Sequence, residues 1–594
     1  MFEEPSHLHC DVLIVGGGLA GCWAALKACQ QGSRVILVDK GYISRAGCSP
    51  VCGGVMTAPL PTDDLDAWAS EFIERGAYTS NQEWLDQLLS DQVARLQDLE
   101  RMGMPIVREG SGEIRRIRSR GMSNVRCLQF NPKETMILFR RLIEGHGCRI
   151  MDRVHIVDLV AAPGGAVVGA VGFGTRTGES YVFHAGATVI TSGPLNMKGR
   201  GVVDTVGADG HALAYRARAK LVDMEFAFGG TFTVMQKKYK FPAYNVALGH
   251  GSRLINAAGE RFMERYDSDR LERSELPHVI AAFLNEVLNG RGPVYLDLRH
   301  CDDNLVDDLL AVKGHSWADE LTTGRAKDFR TRPILIEPLW TVWSHRCGIQ
   351  IGLDGRTSVP GLYSAGSVAK NESVGTHASA GSPIAFCNVA GARAGAAAAA
   401  FAKEAPRPAI GNDGDVAGVF ARLVDVAARS TGPTPNDIFV GIREMLGTPL
   451  DTMVLSAERI AKFRETLADL RRRCETLTAP DPHEWVKAEE ARNFVEVFDV
   501  CMMSAAARTE SRESFYRIDH PYTDNVDWFC WHTVCRGDGA PRFGRQPIPR
   551  DKYRKPPPAM PDRMLSPLAV HLREAHPLDP SIDPEEIARA ARSH

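Results

Sequence analysis

No apolar stretch in this sequence reaches the ~18 residues needed to cross a bilayer. The N-terminus, Met1-Phe2-Glu3-Glu4-Pro5, has no basic n-region, no apolar h-region and no twin-arginine signal. A transmembrane segment is therefore not expected. No long basic stripe stands out and the formal net charge is only -3, which argues against a nucleic-acid binder. The 14 cysteines form no disulfide framework and no paired CxxC zinc spacing. A reducing cytoplasm is the expected setting, and no metal site is assigned. A cysteine run able to ligate an iron–sulfur cluster is also missing. What is present is ordinary for a globular protein: 594 residues, 44% hydrophobic and 24% charged. That length allows two to four domains with ample core.

The informative segment begins at Asp11-Val12-Leu13-Ile14-Val15 and runs into Gly16-Gly17-Gly18-Leu19-Ala20-Gly21. An apolar helical pattern follows, then Arg34-Val35-Ile36-Leu37-Val38-Asp39. This reads as strand, glycine turn, helix and second strand with a terminal carboxylate, the arrangement that holds a dinucleotide. Gly16 permits the tight turn, Gly18 lets backbone approach a pyrophosphate, and Gly21 lets the helix pack on the strand. The helix N-terminus offers unpaired N–H groups to phosphates. Asp39 lies eighteen residues after Gly21, near the ~20 expected of an acid binding ribose hydroxyls.

Residues 41–56 form a loop rich in glycine, serine and cysteine, and residues 63–101 carry helical apolar spacing. Residues 135–143 predict another helix. Short strands follow at Ile150, 156–160, 167–173, 181–183 and 188–191, leading to a glycine turn at Gly193. A strand-rich excursion ending in a sheet strand suits a two-sheet flavin-binding domain better than a simple nicotinamide domain. Arg253 to Phe262 reads as strand–turn–strand, and 359–367 as a returning strand that meets a glycine turn. Residues 381–401 predict an alanine-rich helix with small side chains for close packing, 405–414 a linker, and 455–470 a helix with heptad-like spacing.

These landmarks together resemble the flavoprotein subunits of the fumarate reductase, succinate dehydrogenase and adenylylsulfate reductase family, from the first strand to about residue 530. The specific matches are Gly251–Tyr266, ending Gly-Glu-Arg-Phe-Met-Glu-Arg-Tyr, and Glu510-Ser511-Arg512 with Tyr516-Arg517-Ile518-Asp519-His520-Pro521, Asp524, Asp527 and Trp528. Gly290-Arg291-Gly292-Pro293 and Ser344-His345-Arg346-Cys347-Gly348-Ile349 look closest to the adenylylsulfate reductase branch.

The resemblance implies an α/β fold: a Rossmann-like two-sheet FAD-binding domain with an inserted α+β capping domain and a C-terminal helical region. The divisions are 1–225 and 342–404 for the FAD-binding domain and 226–341 for the capping domain. A helical domain at 405–480 and a C-terminal domain at 481–594 complete the chain. FAD contacts carry over to Gly16, Gly18, Gly21, Asp39, Lys40, Ser44, Gly53, Gly54, Asp209 and Gly366. Ser367 stands where the family has a glutamate, and Gly381 and Ser382 begin the alanine-rich helix. The partners implied are a small-molecule substrate and a ferredoxin-like iron–sulfur subunit.

Departures from the family pattern narrow the chemistry. The histidine that carries covalent flavin in respiratory members falls at Gly47, so FAD is expected to be non-covalent. The family's His-Pro-Thr-Gly is replaced by Gly229-Gly230-Thr231. The arginine that clamps a substrate carboxylate aligns with Ala378, and the capping-domain arginine has no secure counterpart, Arg273 being nearest. Two carboxylates need guanidinium forks to offset their desolvation. Succinate and fumarate are therefore not the expected substrates, and strict adenylylsulfate reduction meets the same objection.

For the chemistry itself, flavin supplies the redox step and the protein supplies orientation and a proton. His345 is the acid/base candidate, set against a satisfied structural histidine. Arg346 is an anion contact or a surface ion-pair residue, and His377 a flavin-edge contact or a structural residue. Cys48 and Cys52 read as buried packing residues before a redox pair. Cys530 and Cys535 flank Trp531 and His532 without further metal-ligand spacing. An altered flavoprotein that only transfers electrons or scaffolds a complex is the alternative class.

Overall fold

The fold was analysed in a computed structural model that describes residues 4–587 apart from 120–121, 199–202, 229–230, 237–238, 242–246, 249, 275, 302–304, 306–332, 340–345, 376–380, 405–413, 448, 552 and 575. His345, His377, Ala378, Gly229 and Gly230 lie outside the described residues, as does most of the expected 405–414 linker.

The chain opens with β1 (Ser6–Val15), α1 (Leu19–Gln30) and β2 (Val35–Asp39). Later segments complete a seven-stranded sheet: β3 (Arg149–Asp152), β4 (Val154–Ala161), β5 (Val167–Gly174), β6 (Ser180–Ile190) and β7 (Leu362–Ser364). The order is β3-β2-β1-β6-β5-β4, with β7 also on β6. Strands β3, β2, β1, β6 and β7 run parallel, while β5 runs antiparallel between β6 and β4. The two short strands expected at 181–183 and 188–191 are one continuous β6, because β1 pairs along its whole length.

Register places Val15 beside Val38 and Ile190, and Ile190 beside Ser364. The carboxyl ends of four parallel strands therefore meet at one edge, the place where open α/β sheets bind ligands. β1 is fully buried from Val12 to Ile14, as expected for a parallel strand covered on both faces.

On this sheet lies α2 (Ser382–Glu404). A Cβ on Gly391 would fall 2.5 Å from the Ala20 carbonyl oxygen, and one on Gly395 2.2 Å from that of Ala24. Only bare backbone allows α1 and α2 to cross this closely. By length and composition α2 also qualifies as a membrane span, against the sequence expectation that none would. Alanine makes it moderately apolar without bulky side chains, and 67% of its apolar window is buried inside the protein. Its burial identifies it as a core helix.

The expected helical stretch 63–101 is two helices, Leu65–Arg75 and Gln82–Arg101. The break is explained by fresh N-caps: Asp64 accepts from the N–H groups of Asp66 and Ala67, and Asn81 from that of Trp84. Helix Pro132–Gly145 extends the expected 135–143 segment, with Asn131 capping it.

The inserted segment holds a sheet ordered Tyr239–Phe241, Thr231–Gln236, Ile334–Leu339, Tyr295–Asp297 and Arg253–Ile255, with helix Leu276–Leu288 beside it. The strand–turn–strand expected at 253–262 is half right. Arg253–Ile255 pairs with Tyr295–Asp297 instead of with its own continuation. Asn256 Oδ1 takes the N–H groups of Ala258 and Glu260 at 3.1 and 3.0 Å, and Arg261 is drawn to Glu272 at 2.6 Å. These bonds divert the chain into the short helix Met263–Tyr266. The apolar core of this segment includes Leu254, Phe283 and Leu296, and is closed by Leu565, Leu568 and Val570 from the far end of the chain.

Three further helices, α3 (Gly414–Ala428), α4 (Ala457–Glu475) and α5 (Pro482–Ala507), join the main core through Leu423, Leu467 and Phe498. Asp481 caps α5 by accepting from Glu484 N–H at 3.0 Å, with Pro482 at the first helical position.

Candidate functional site

The glycine turn is built as its spacing requires. Gly16 has φ +110°, and a Cβ there would lie 2.6 Å from the Thr191 carbonyl oxygen. A Cβ on Gly21 would lie 2.0 Å from the Gly16 oxygen, so α1 rests directly on the turn. Gly18 differs. It has an extended backbone, φ −71° and ψ −176°, and its nearest would-be neighbour is Ser49 Oγ at 3.2 Å. Gly53, too, would meet nothing within 4 Å. Space is thus kept where a phosphate must approach backbone, and closed where helix must meet strand. At the start of α1, Leu19 N–H donates to Ser49 Oγ at 3.0 Å.

Asp39 closes the turn from β2. Its Oδ2 accepts Gly17 N–H and its Oδ1 accepts Gly41 N–H, both at 2.7 Å. Burial raises its pKa above the usual carboxylate value, opposed by these two N–H bonds. Ser44 is buried with φ +81°. Gly54 has φ +63° and accepts Phe130 N–H at 2.9 Å.

The return segments come to the same place. Gly366, at φ +73°, would bring a Cβ within 2.7 Å of Ala20 on α1. Gly381, at φ +82°, would bring one within 2.7 Å of Thr57 N, and its oxygen accepts Thr57 N–H at 3.2 Å. Ser367 is partly exposed and Ser382 is buried at the start of α2. Gly16–Gly21, Ser49 and Gly366 thus lie together at the carboxyl edge of the sheet, with Gly381 packed on Thr57 at the start of α2. This glycine-lined cradle, with its helix N-terminus and its acid at the second strand, fits an extended dinucleotide.

Lys40 and Asp209, both expected as cofactor contacts, also belong to an ion-pair network. Lys40 Nζ pairs with Asp209 Oδ2 and Glu490 Oε1, each at 2.6 Å, and Lys198 holds the other Glu490 oxygen at 2.6 Å. Asn493 donates to Asp209 at 2.9 Å. The pairing holds Asp209 and Glu490 well below ordinary carboxylate pKa values despite burial. The two residues thus fasten α5 to the dinucleotide half.

Arg346 is buried, and its Nη1 donates to Ser514 Oγ. Desolvation lowers its pKa to about 10. The surface ion-pair reading of Arg346 is thereby excluded. Beside it runs a buried ionic belt that sequence reading missed. Lys370 Nζ donates to the Arg346 and Gly375 oxygens and pairs with Asp223 at 3.0 Å. Glu225 accepts from Arg508 Nε at 2.5 Å and faces His532 Nδ1 at 3.2 Å. Arg508 also donates to Glu510 at 2.6 Å, and Arg512 grips Glu510 with two bonds of 2.9 Å. The strand Cys530–Cys535 pairs with Leu221–Val222, which explains how residues near 225 and 532 meet. Only Glu510 and Arg512 had a sequence signal, through the Glu-Ser-Arg motif.

Glu372 lies at the edge of this belt, 4% exposed, bonded by Asn81 Nδ2 at 2.8 Å. Burial pushes its pKa up to about 7. A raised native pKa means that its contribution to stability is full below the unfolded value near 4.5 and is lost as pH rises through about 7. Glu372→Gln is therefore expected to flatten the pH dependence of the urea midpoint between pH 4.5 and 7; an unchanged slope would show that Glu372 is not the group responsible.

No disulfide joins the cysteines among the described residues. Burial pushes Cys48 and Cys387 up to about 12, which suits inert packing thiols. Among the described residues no group of three or more His, Cys, Asp or Glu is placed to hold a metal.

The model of the FAD binding domain matches residues 11–384, and that of the fumarate reductase flavoprotein C-terminus matches residues 451–560. One component of the fumarate reductase (CoM/CoB) of Methanothermobacter marburgensis is 28% identical over 539 residues, covering 88% of this chain and 96% of that one. A variant of the FrdA chain of E. coli quinol fumarate reductase superposes with a TM-score of 0.83 at 21% identity, over 93% of this chain and 98% of that chain. Adenylylsulfate reductase from Archaeoglobus fulgidus gives 0.76 at 18% identity, over 92% and 96%. At those identities the two structures speak for the fold alone. The family match covers well over half the sequence and falls on the cradle just described, so the chain belongs to the fumarate reductase/succinate dehydrogenase flavoprotein family as an FAD-dependent oxidoreductase.

Proposed function

We propose that this oxidoreductase holds FAD non-covalently, acts on a substrate other than a simple dicarboxylate, and exchanges electrons with a separate iron–sulfur subunit. The single observation that carries the substrate reading is Ala378 at the position of the family's carboxylate-clamping arginine. The partner reading is supported by the adenylylsulfate-reductase-like segments at 290–293 and 344–349; without a cluster-ligating cysteine run in this chain, the cluster would lie on another polypeptide. Bound FAD would supply the two-electron chemistry. Gly16, Gly18 and the N-terminus of α1 would take its pyrophosphate, and Asp39 a ribose. Gly53, Gly54, Gly366, Gly381 and Ser382 would bound its path. His345 is the proposed proton donor or acceptor, and Arg346 a buried cation beside it in sequence.

Gly47 has no nucleophile to form a bond with flavin. Heat or acid is expected to release intact FAD; yellow fluorescence staying with the polypeptide in a denaturing gel would refute this.

The main test is anaerobic flavin bleaching by metabolite pools, with succinate as comparison. A pool component is expected to bleach the flavin while succinate does not, and His345→Ala should keep FAD but slow bleaching by about 10²–10⁴-fold. Rapid bleaching by succinate would overturn the substrate reading, and an unchanged rate in the variant would remove His345 from the chemistry. If nothing bleaches the flavin, the alternative of an electron-transfer or scaffold flavoprotein, favoured by the same missing arginine, takes its place.

A further inference from the structure

A cleft of about 470 Å³ opens between α3, α4 and α5, apart from the residues of the cofactor cradle. Positions 418, 421, 422, 425, 426 and 429 all line it. That spacing is one continuous stripe of α3. Helix α4 contributes Arg471 and Cys474, and α5 contributes Arg492. Four arginines thus surround a floor that includes buried Val426 and Cys474, with Ala421 exposed at the mouth.

These arginines are not equally occupied. Arg471 pairs with Asp499 at 3.0 Å, and Arg492 pairs with Glu489. Because Arg492 holds Glu489, Arg422 reaches that carboxylate only at 3.6 Å, beyond hydrogen-bond distance. Its Nε is buried with no hydrogen-bond partner among the described residues. The Arg429 guanidinium has one bond among the described residues, to the Leu477 carbonyl oxygen at 3.3 Å. Elsewhere arginines hydrogen-bond their acids directly, as Arg116 does Asp63 at 2.6 Å and Arg140 does Asp152 at 2.9 Å, although Arg116 Nε is likewise without a partner among the described residues. The Arg422 side chain is 39% exposed, so its remaining guanidinium donors are open to an oxyanion. Asp425 and Glu475 also line the cleft. They hold down its net positive charge and disfavour a polyanion.

We propose that this cleft is a binding site for a small organic anion. Its phosphate or carboxylate head lies on Arg422 and Arg429, and its apolar body lies against Val426 and Cys474. The site sits across α5 from the cradle: Glu490 and Asn493 face Lys40 and Asp209, whereas Glu489 and Arg492 face the cleft. Binding can therefore be read with flavin in place.

Calorimetric titration of the FAD-loaded protein with phenyl phosphate and, separately, with benzoate tests this and distinguishes the two heads. Saturable 1:1 binding of at least one is expected, with the visible flavin spectrum unchanged. Arg422→Gln and Arg429→Gln should each weaken it about tenfold. Ala421→Glu, at an exposed position that tolerates substitution, should abolish it. The proposal is overturned if neither probe binds at millimolar concentration, or if binding survives all three substitutions unchanged. Inorganic phosphate binding as tightly as phenyl phosphate would overturn the assignment of an organic ligand.

Discussion

Gly18→Val and Gly21→Val are expected to fail in different ways. At Gly21 the new Cβ meets the Gly16 carbonyl oxygen at 2.0 Å, backbone that cannot yield as a flexible side-chain end could, and Thr191 Oγ1 at 2.8 Å. Backbone of either α1 or β1 must shift, which costs at least the ~1–3 kcal/mol usual for overpacking. Poor folding is expected, with both soluble yield and melting temperature falling. At Gly18 the backbone is already extended and suits any residue, and the Cβ has only Ser49 Oγ at 3.2 Å. Gly18→Val should fold to a near-native melting temperature as apoprotein, with FAD affinity down by tenfold or more, ~1.4 kcal/mol. Equal flavin content in wild type and Gly18→Val would show that the pyrophosphate lies elsewhere.

Arg508→Met is expected to be the most destabilising change in the ionic belt. The guanidinium is 1% exposed and bridges Glu225 at 2.5 Å and Glu510 at 2.6 Å. Removing it strands Glu225 with His532 alone and leaves Glu510 to Arg512. Breaking a buried pair in this way costs about 3–5 kcal/mol, because the remaining carboxylate loses its cation without regaining water. Arg508→Met/Glu225→Gln should recover part of that loss, since the neutral amide no longer needs a counter-charge. A double variant less stable than the single one by the full cost of Glu225→Gln would show that the two residues do not interact.

The dinucleotide half was readable because its signals are local. β1, α1 and β2 follow from an apolar run, a glycine turn and a second apolar run, and Gly16, Gly21 and Asp39 act within thirty residues of one another. The long excursion to β6 and the return at β7 were also visible, since each ends in a glycine turn. Local reading failed where a distant partner decides the outcome. Residues 260–262 carry strand-like composition, yet Glu272 captures Arg261 and the chain bends into a helix. Lys40 also pairs with Asp209 and Glu490, which no local pattern signals. The buried belt was invisible for the same reason: Glu225 and Arg508 are 283 residues apart. No periodicity or spacing links them. In α2, predicted at 381–401 and found at Ser382–Glu404, alanine obscured how apolar the helix is, not where it runs.

The bond between Lys40 and Glu490 also has a consequence in time. The two residues are 450 positions apart. At a synthesis rate of ~5–20 residues per second, about 20–90 seconds separate their emergence from the ribosome. Throughout that interval the nascent sheet has its first two strands and its glycine turn, but not the helix that fastens Lys40 and Asp209 in place. The nucleotide cradle is therefore among the first parts of the chain to be made and among the last to be completed. The ion pairs on Lys40 can close only after α5 has left the ribosome.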